Sequence, residues 1–316
     1  MKRSYIYMVL AVLLVLGCFT ACGNSHGFII HRLDTQLPKG EMPEDDRSLA
    51  AAKLLFEVSG YDYLDVFTLS EYANKESVTA HIGSVDSVFG SDLSQEERAL
   101  GRALYKLSED IPGFQMPEIY SIISPFSQSV IVADSVVFVG LNHYLGASYR
   151  YYGFFPEYLR QLKNRSQLPI DVVEAILRVK VPFNRGHNQS TLEHMIYYGA
   201  LTEAVMQSLG VDEKSALGMT DAQMDWLKDN EQKIWHTIIE KKLLYNTDLS
   251  IARSLLEPAP STFVLTPDAP GRAGRFTAHK LVRSYLKNHP GVTYIDLLQG
   301  KIPADASFIT ESRYNP

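Results

Sequence analysis

The sequence predicts an α+β domain, mostly helical, with a small, mostly antiparallel sheet followed by a multi-helix C-terminal region. Three observations carry this expectation. β-Branched and aromatic residues crowd into one interval, 118–140. Helical spacing of apolar residues and capping sequences fill nearly everything after Pro156. The order of helices, a short sheet and then many helices fits one domain, and 46% hydrophobic with 21% charged residues is an ordinary globular composition.

The chain opens with Lys2 and Arg3 ahead of a short apolar run, 8–16. That run is too short for a comfortable span, since a bilayer needs about 20 apolar residues. A positive start, a brief apolar core and small residues ahead of cysteine describe a lipoprotein export signal. Two boxes compete, Val15-Leu16-Gly17-Cys18 and Phe19-Thr20-Ala21-Cys22. Cys22 is preferred, because Thr20 and Ala21 are small and polar Gly23-Asn24-Ser25 follow at once. Lipidation at Cys22 leaves a membrane-tethered protein outside the cytoplasm, in the cell envelope. The mature chain then has no thiol for a disulfide, and loss of Lys2 and Arg3 takes the formal charge from −6 to −8. An acidic surface argues against nucleic acid as a partner. The organisation read from sequence is therefore a signal over 1–22, a polar tether over 23–46 and a single domain over 47–316. Within the tether, one short ordered piece is expected at 28–33.

After the tether, 47–59 and 61–70 have helical patterning, and 71–90 holds short polar-apolar stretches. Ser94 and Glu97 have capping-box spacing for a helix running to about residue 108. Runs 118–123, 129–132 and 136–140 read as strands, the last two forming a hairpin through Ala133-Asp134-Ser135. Helices are then expected over 156–163, 169–179, 190–209, 221–240 and 276–288, with Thr220 and Gln223 as a second capping box.

Chemical signals are sparse. A helical zinc hydrolase carries two His at i and i+4 on one helix face, with Glu beside the first. None of the nine His makes that pair. The weak candidates for a metal are His187, His194 and Glu203. Asp171 and Glu174, at the start of one helix, suit its dipole first and an acid/base pair second. The aromatic segment Tyr149-Arg150-Tyr151-Tyr152-Gly153-Phe154-Phe155 reads as core, with sugar or peptide stacking as the alternative. In Pro270-Gly271-Arg272-Ala273-Gly274-Arg275, the glycines suit close helix packing, with Gly274 bringing the 276–288 helix against the 190–209 helix. Anion binding by the arginines at a helix start is the other reading. Acyl-transfer, nucleotide and redox motifs are missing, and no cofactor is expected.

Several stretches in collinear order carry a family resemblance: the lipoprotein signal, Val137-Phe138-Val139-Gly140-Leu141-Asn142-His143-Tyr144-Leu145-Gly146, Thr191-Leu192-Glu193-His194-Met195-Ile196-Tyr197-Tyr198-Gly199, and Pro270-Gly271-Arg272-Ala273-Gly274 with Leu281-Val282-Arg283-Ser284-Tyr285-Leu286. The stretch 226–260, with Trp235, Tyr245 and Glu257-Pro258-Ala259-Pro260, fits the same order. Together they resemble the gliding-motility lipoprotein GldB family of the Bacteroidetes. The resemblance implies a zincin-like architecture in which the 136–141 strand is the sheet edge. The 169–179 helix then stands where a metal helix would be, and the 190–209 helix where a third ligand would be. This chain departs there, with no His on the first of those helices and Tyr198 where such relatives carry Glu. Asn142 likewise replaces an Asp of the family's pattern. The resemblance thus implies a non-catalytic envelope lipoprotein acting through protein partners, such as motility or secretion machinery. The alternatives are a metal-dependent hydrolase with an unusual ligand set and a glycan- or peptide-binding lipoprotein.

Overall fold

The computed structural model describes residues 27–124, 128–183 and 189–316; Cys18, Cys22 and His187 lie outside them. The first strand, β1 (Ile30–Arg32), falls at the short ordered piece expected inside the tether. The chain beyond it is not a tether: two 3-10 turns over Leu33–Thr35 and Leu37–Lys39 follow, with Leu33 and Leu37 fully buried. Helices α1 (Asp46–Val58), α2 (Val66–Ala73), α3 (Glu76–Thr79), α4 (Ile82–Phe89) and α5 (Ser94–Asp110) come next. α2 starts later than its apolar pattern suggests, because Asp65 and Thr68 form a reciprocal capping box. The box expected at Ser94 and Glu97 does not form. Glu97 Oε1 instead accepts from the Ile30 backbone N–H at 3.0 Å, fastening α5 to β1.

The sheet continues with β2 (Glu118–Ile122), β3 (Val130–Ala133) and β4 (Val136–Gly140). Its order is β1-β2-β4-β3. The hairpin expected between β3 and β4 is present, with Asp134 at φ 53° in its turn. The other two pairings, β1 with β2 and β2 with β4, are parallel, so the sheet is mixed and mostly parallel rather than mostly antiparallel. β4 is an interior strand, not the edge. The burial pattern explains the difference: β2 and β4 are buried at every position after their first residue, as strands covered on both faces are. Parallel pairing of β1 with β2 requires a crossover, supplied here by α1–α5.

The C-terminal region comprises α6 (Glu157–Arg160), α7 (Leu168–Lys180), α8 (Thr191–Leu209), α9 (Glu213–Leu217), α10 (Asp221–Asp229), α11 (Glu231–Glu240), α12 (Leu249–Leu256), α13 (Ala273–Asn288), α14 (Tyr294–Leu298) and α15 (Ala306–Ser312). The capping box of Thr220 with Gln223 is formed, but the 221–240 helix breaks in two at Asn230. α8 starts at a further capping box between Ser190 and Glu193. It is apolar nearly all round, as a helix inside a core must be, and packs against α5, α7, α9, α12, α13 and α14.

Its tightest neighbour is α13, and the residue that permits this is Gly199. A Cβ there would lie 2.4 Å from the Ala278 carbonyl oxygen. Gly274 does not serve that contact, as the sequence suggested; it packs against Leu255 of α12, where a Cβ would meet the Leu255 Cβ at 2.6 Å. No helix among the described residues is long and apolar enough to cross a membrane.

Candidate functional site

Parallel strands in an open sheet direct the loops after their carboxyl ends to a common place, where α/β folds bind ligands. In this chain the residues following β2 and β4 meet there. Asn142 Oδ1 accepts from the Ser124 backbone N–H (2.9 Å), and its Nδ2 donates to the Ser124 carbonyl (2.6 Å). Asn142 is fully buried, so it clamps the two strand ends together. Gly140 is needed beside them, since a Cβ would sit 2.3 Å from Ser124 Oγ. His143 Nε2 lies 3.0 Å from Ser124 Oγ, and its Nδ1 lies 3.4 Å from Lys163 Nζ. An ammonium can only donate, so Nδ1 accepts and the ring proton faces Ser124.

Next to this clamp lies a cavity of about 420 Å³, bounded by β3, the turn after β4, α6, α7 and Arg272 ahead of α13. Its lining mixes polar side chains, His143, Tyr144, Lys163, Asp171, Glu174, Arg178 and Arg272, with apolar ones, Val130, Phe155, Leu159, Leu162 and Ala175.

Asp171 and Glu174 both face this space, and their environments separate them. Burial pushes the Asp171 carboxyl up to about 6, opposed by hydrogen bonds donated from Gln167 (3.1 Å) and Tyr144 (3.0 Å). Burial alone would raise Glu174 as well, but the guanidiniums of Arg275 and Arg178 hold its carboxyl well below the usual carboxylate range. Each arginine reaches it with an Nη2 at 2.7 Å. Arg178 also donates to Tyr198 (3.2 Å), which donates to Glu257. Tyr198, at the position where related scaffolds were expected to carry Glu, is therefore a link in a charge network.

Two other cations in the lining, Lys163 and Arg272, are shifted away from the charged form. Burial lowers the Lys163 ammonium, whose Nζ stands 4.2 Å from the centre of the Phe155 ring. Burial and the neighbouring charge of Arg275 lower Arg272 to about 10. Arg272 has a left-handed backbone (φ 65°) and donates through Nη1 to the Leu217 carbonyl (2.8 Å).

Of the metal candidates, the two among the described residues, His194 and Glu203, are not brought together. Glu203 accepts from His279 Nε2 (2.7 Å), while His194 packs at a tilt against Phe183 with ring centres 4.4 Å apart. Nine residues at about 100° each place these two side chains on opposite faces of α8, about 13 Å apart along its axis. Among the described residues no group of three His, Cys, Asp or Glu is arranged to hold a metal ion. In the aromatic segment Tyr152 is buried as core, and its hydroxyl donates to the Asn142 carbonyl (2.6 Å). Tyr149 is only half-buried, against His81 Nδ1 (2.7 Å), and Phe154 is 65% exposed. Lys163, Tyr144 and Gln167 were not recognised from sequence. Only the Tyr144-Leu145-Gly146 stretch after β4 marked the place.

No curated protein and no solved structure shows significant similarity to this chain. One family model does match, that of the gliding motility protein GldB, over residues 27–316. That match spans nearly the entire chain, and the chain belongs to the GldB family of gliding-motility lipoproteins.

Proposed function

We propose that this protein is a non-catalytic lipoprotein of the cell envelope, anchored in the outer membrane through diacylated Cys22, that serves motility or the associated secretion machinery by binding protein partners. The family match supports the motility setting. The observation that carries the non-catalytic reading is the engagement of the carboxylates a metal or acid/base site would need. Glu174 is held by Arg275 and Arg178, and Glu203 by His279. The same proposal treats α7 and α8 as the remnant of a zincin-like metal helix and ligand helix, with an arginine network where a metal would stand.

Three experiments test it. Elemental analysis of the mature chain, purified without a metal-binding tag, is expected to find no transition metal. One tightly held ion per chain would overturn the reading and direct mutation to His187, His194 and Glu203. Crosslinking in intact envelopes is expected to capture a reproducible partner, lost when Cys22→Ala prevents anchoring. Metabolic fatty-acid labelling should disappear in Cys22→Ala and persist in Cys18→Ala. The reverse pattern would move the anchor to Cys18.

A further inference from the structure

Charges around the candidate cavity are unevenly matched. Glu174 is closed off by Arg275 and Arg178, and Asp171 is hydrogen-bonded by two neutral donors, Tyr144 and Gln167. Lys163 and Arg272 remain. Among the described residues neither forms an ion pair with a carboxylate: Lys163 meets the neutral His143 ring and Phe155, and Arg272 donates to a backbone carbonyl. The buried Nε of Arg272 has no hydrogen-bond partner at all. A buried donor left unsatisfied is costly, more so when charged, and such groups mark places where another species completes the set. Burial disfavours the charge on both cations and outweighs the pull of the nearby carboxylates, Asp171 on Lys163 and Glu174, Asp171 and Glu257 on Arg272.

Phe155, Leu159 and Leu162 add apolar surface to the same cavity, with Phe155 directly beside Lys163. We propose that the cavity binds a small organic anion, a carboxylate carried on an apolar body, with its charge at Lys163 and Arg272 and its body against Phe155, Leu159 and Leu162. A guanidinium suits a carboxylate because its planar fork donates two parallel hydrogen bonds. The volume of about 420 Å³ falls within the range of roughly 300–1,000 Å³ usual for small-molecule sites. Such binding goes beyond the envelope role proposed above and does not rest on it.

The test is calorimetric titration and thermal unfolding of the full mature chain with benzoate, phenylacetate and hexanoate. Inorganic phosphate and sodium chloride at matched ionic strength serve as the other arms. At least one carboxylate is expected to bind saturably and raise Tm by about 2–4 °C at high occupancy, with phosphate clearly weaker. Lys163→Met should weaken binding about tenfold or more, the effect of losing one charge-assisted contact. Leu159→Trp, which fills the cavity but leaves both cations, should abolish it. Circular dichroism confirms folding, and either variant alone suffices if the other fails to fold. Absence of binding by all three carboxylates overturns the proposal. Phosphate binding as tightly as the carboxylates overturns the apolar half of it. Unchanged affinity in the folded variants places the ligand elsewhere and overturns it too.

Discussion

Arg275 and His279 stand one turn apart on the same face of α13, and both are buried against α8, yet their surroundings differ. The Arg275 side chain is 1% exposed and that of His279 is inaccessible. Around His279 every charge has a partner: Glu203 and Glu213 grip the imidazole, Glu213 also holds Lys280 (2.9 Å), and Arg283 lies 3.9 Å from Glu203. Around Arg275 the network is closed at Glu174 but open at its margin, where Lys163 and Arg272 face the cavity with no ion pair to a carboxylate among the described residues. A closed cluster fixes how helices pack, because each desolvated charge is satisfied internally. An open one leaves a charge for something from outside to meet. The same helix thus carries a structural device and, one turn earlier, the edge of a binding site.

The strongest test of this contrast is Glu174→Ala. It strips the partner from a buried arginine, and breaking a buried pair in this way destabilises by about 3–5 kcal/mol. Urea unfolding should show that loss, and Glu174→Met combined with Arg275→Met should recover much of it, since the fully buried charge goes with its partner and the Arg178 left behind is 36% exposed to water. A loss under about 1 kcal/mol in the single variant would mean that water reaches Arg275 and the network is not closed there. A smaller effect is expected where both clusters depend on helix spacing. Gly199→Ala places a Cβ against the Ala278 carbonyl and should destabilise by about 1–3 kcal/mol through overpacking. Thermal unfolding measures it; an unchanged Tm would show that α8 and α13 can part without penalty.

These contacts also show what the sequence could reveal. Local signals were legible: the β3–β4 hairpin, the Thr220–Gln223 capping box and the helical register of 190–209 are written in neighbouring residues. Non-local ones were not. The short ordered piece at 28–33 could be read, but not that it is a strand in the sheet, since the three residues of β1 pair in parallel with β2 far downstream. Glu97 has the spacing of a capping residue, but Ile30 competes for its carboxylate. Gly274 and Gly199 are equally plausible packing glycines in sequence, and only the fold shows which helix meets which. Asp171 and Glu174 were singled out for proximity to a helix start, yet their different states come from Tyr144, Gln167, Arg178 and Arg275. Of these only Arg178 is within the same helical turn as Glu174, so the asymmetry could not be read locally.

The smallest expected effects, and the most discriminating, are in pH dependence. Burial pulls His279 down, but its bonds to Glu203 and Glu213 overcome this and raise its pKa above the ordinary 6.5. Its contribution to stability is therefore complete below about 6.5, the unfolded value, and is lost as pH rises through the raised folded value. Glu203 and Glu213 are lowered, so their contribution is present above their usual 4.5 and is lost on acidification. Asp171 behaves in the opposite sense to those two carboxylates. Pushed up to about 6 from 3.8, it favours the fold while neutral and weakens it as pH climbs through that interval. Urea unfolding across pH should thus show His279→Gln removing the loss above about 6.5 and, since His279 is what lowers Glu203 and Glu213, blunting the loss on acidification, while the Asp171 limb between 3.8 and about 6 stays unchanged. Asp171→Asn should remove the loss between 3.8 and about 6 and leave the upper limb unchanged. If each variant altered both limbs, the two clusters would titrate as one unit through α13, and the cavity could not fill or change charge without also loosening the helix packing around His279.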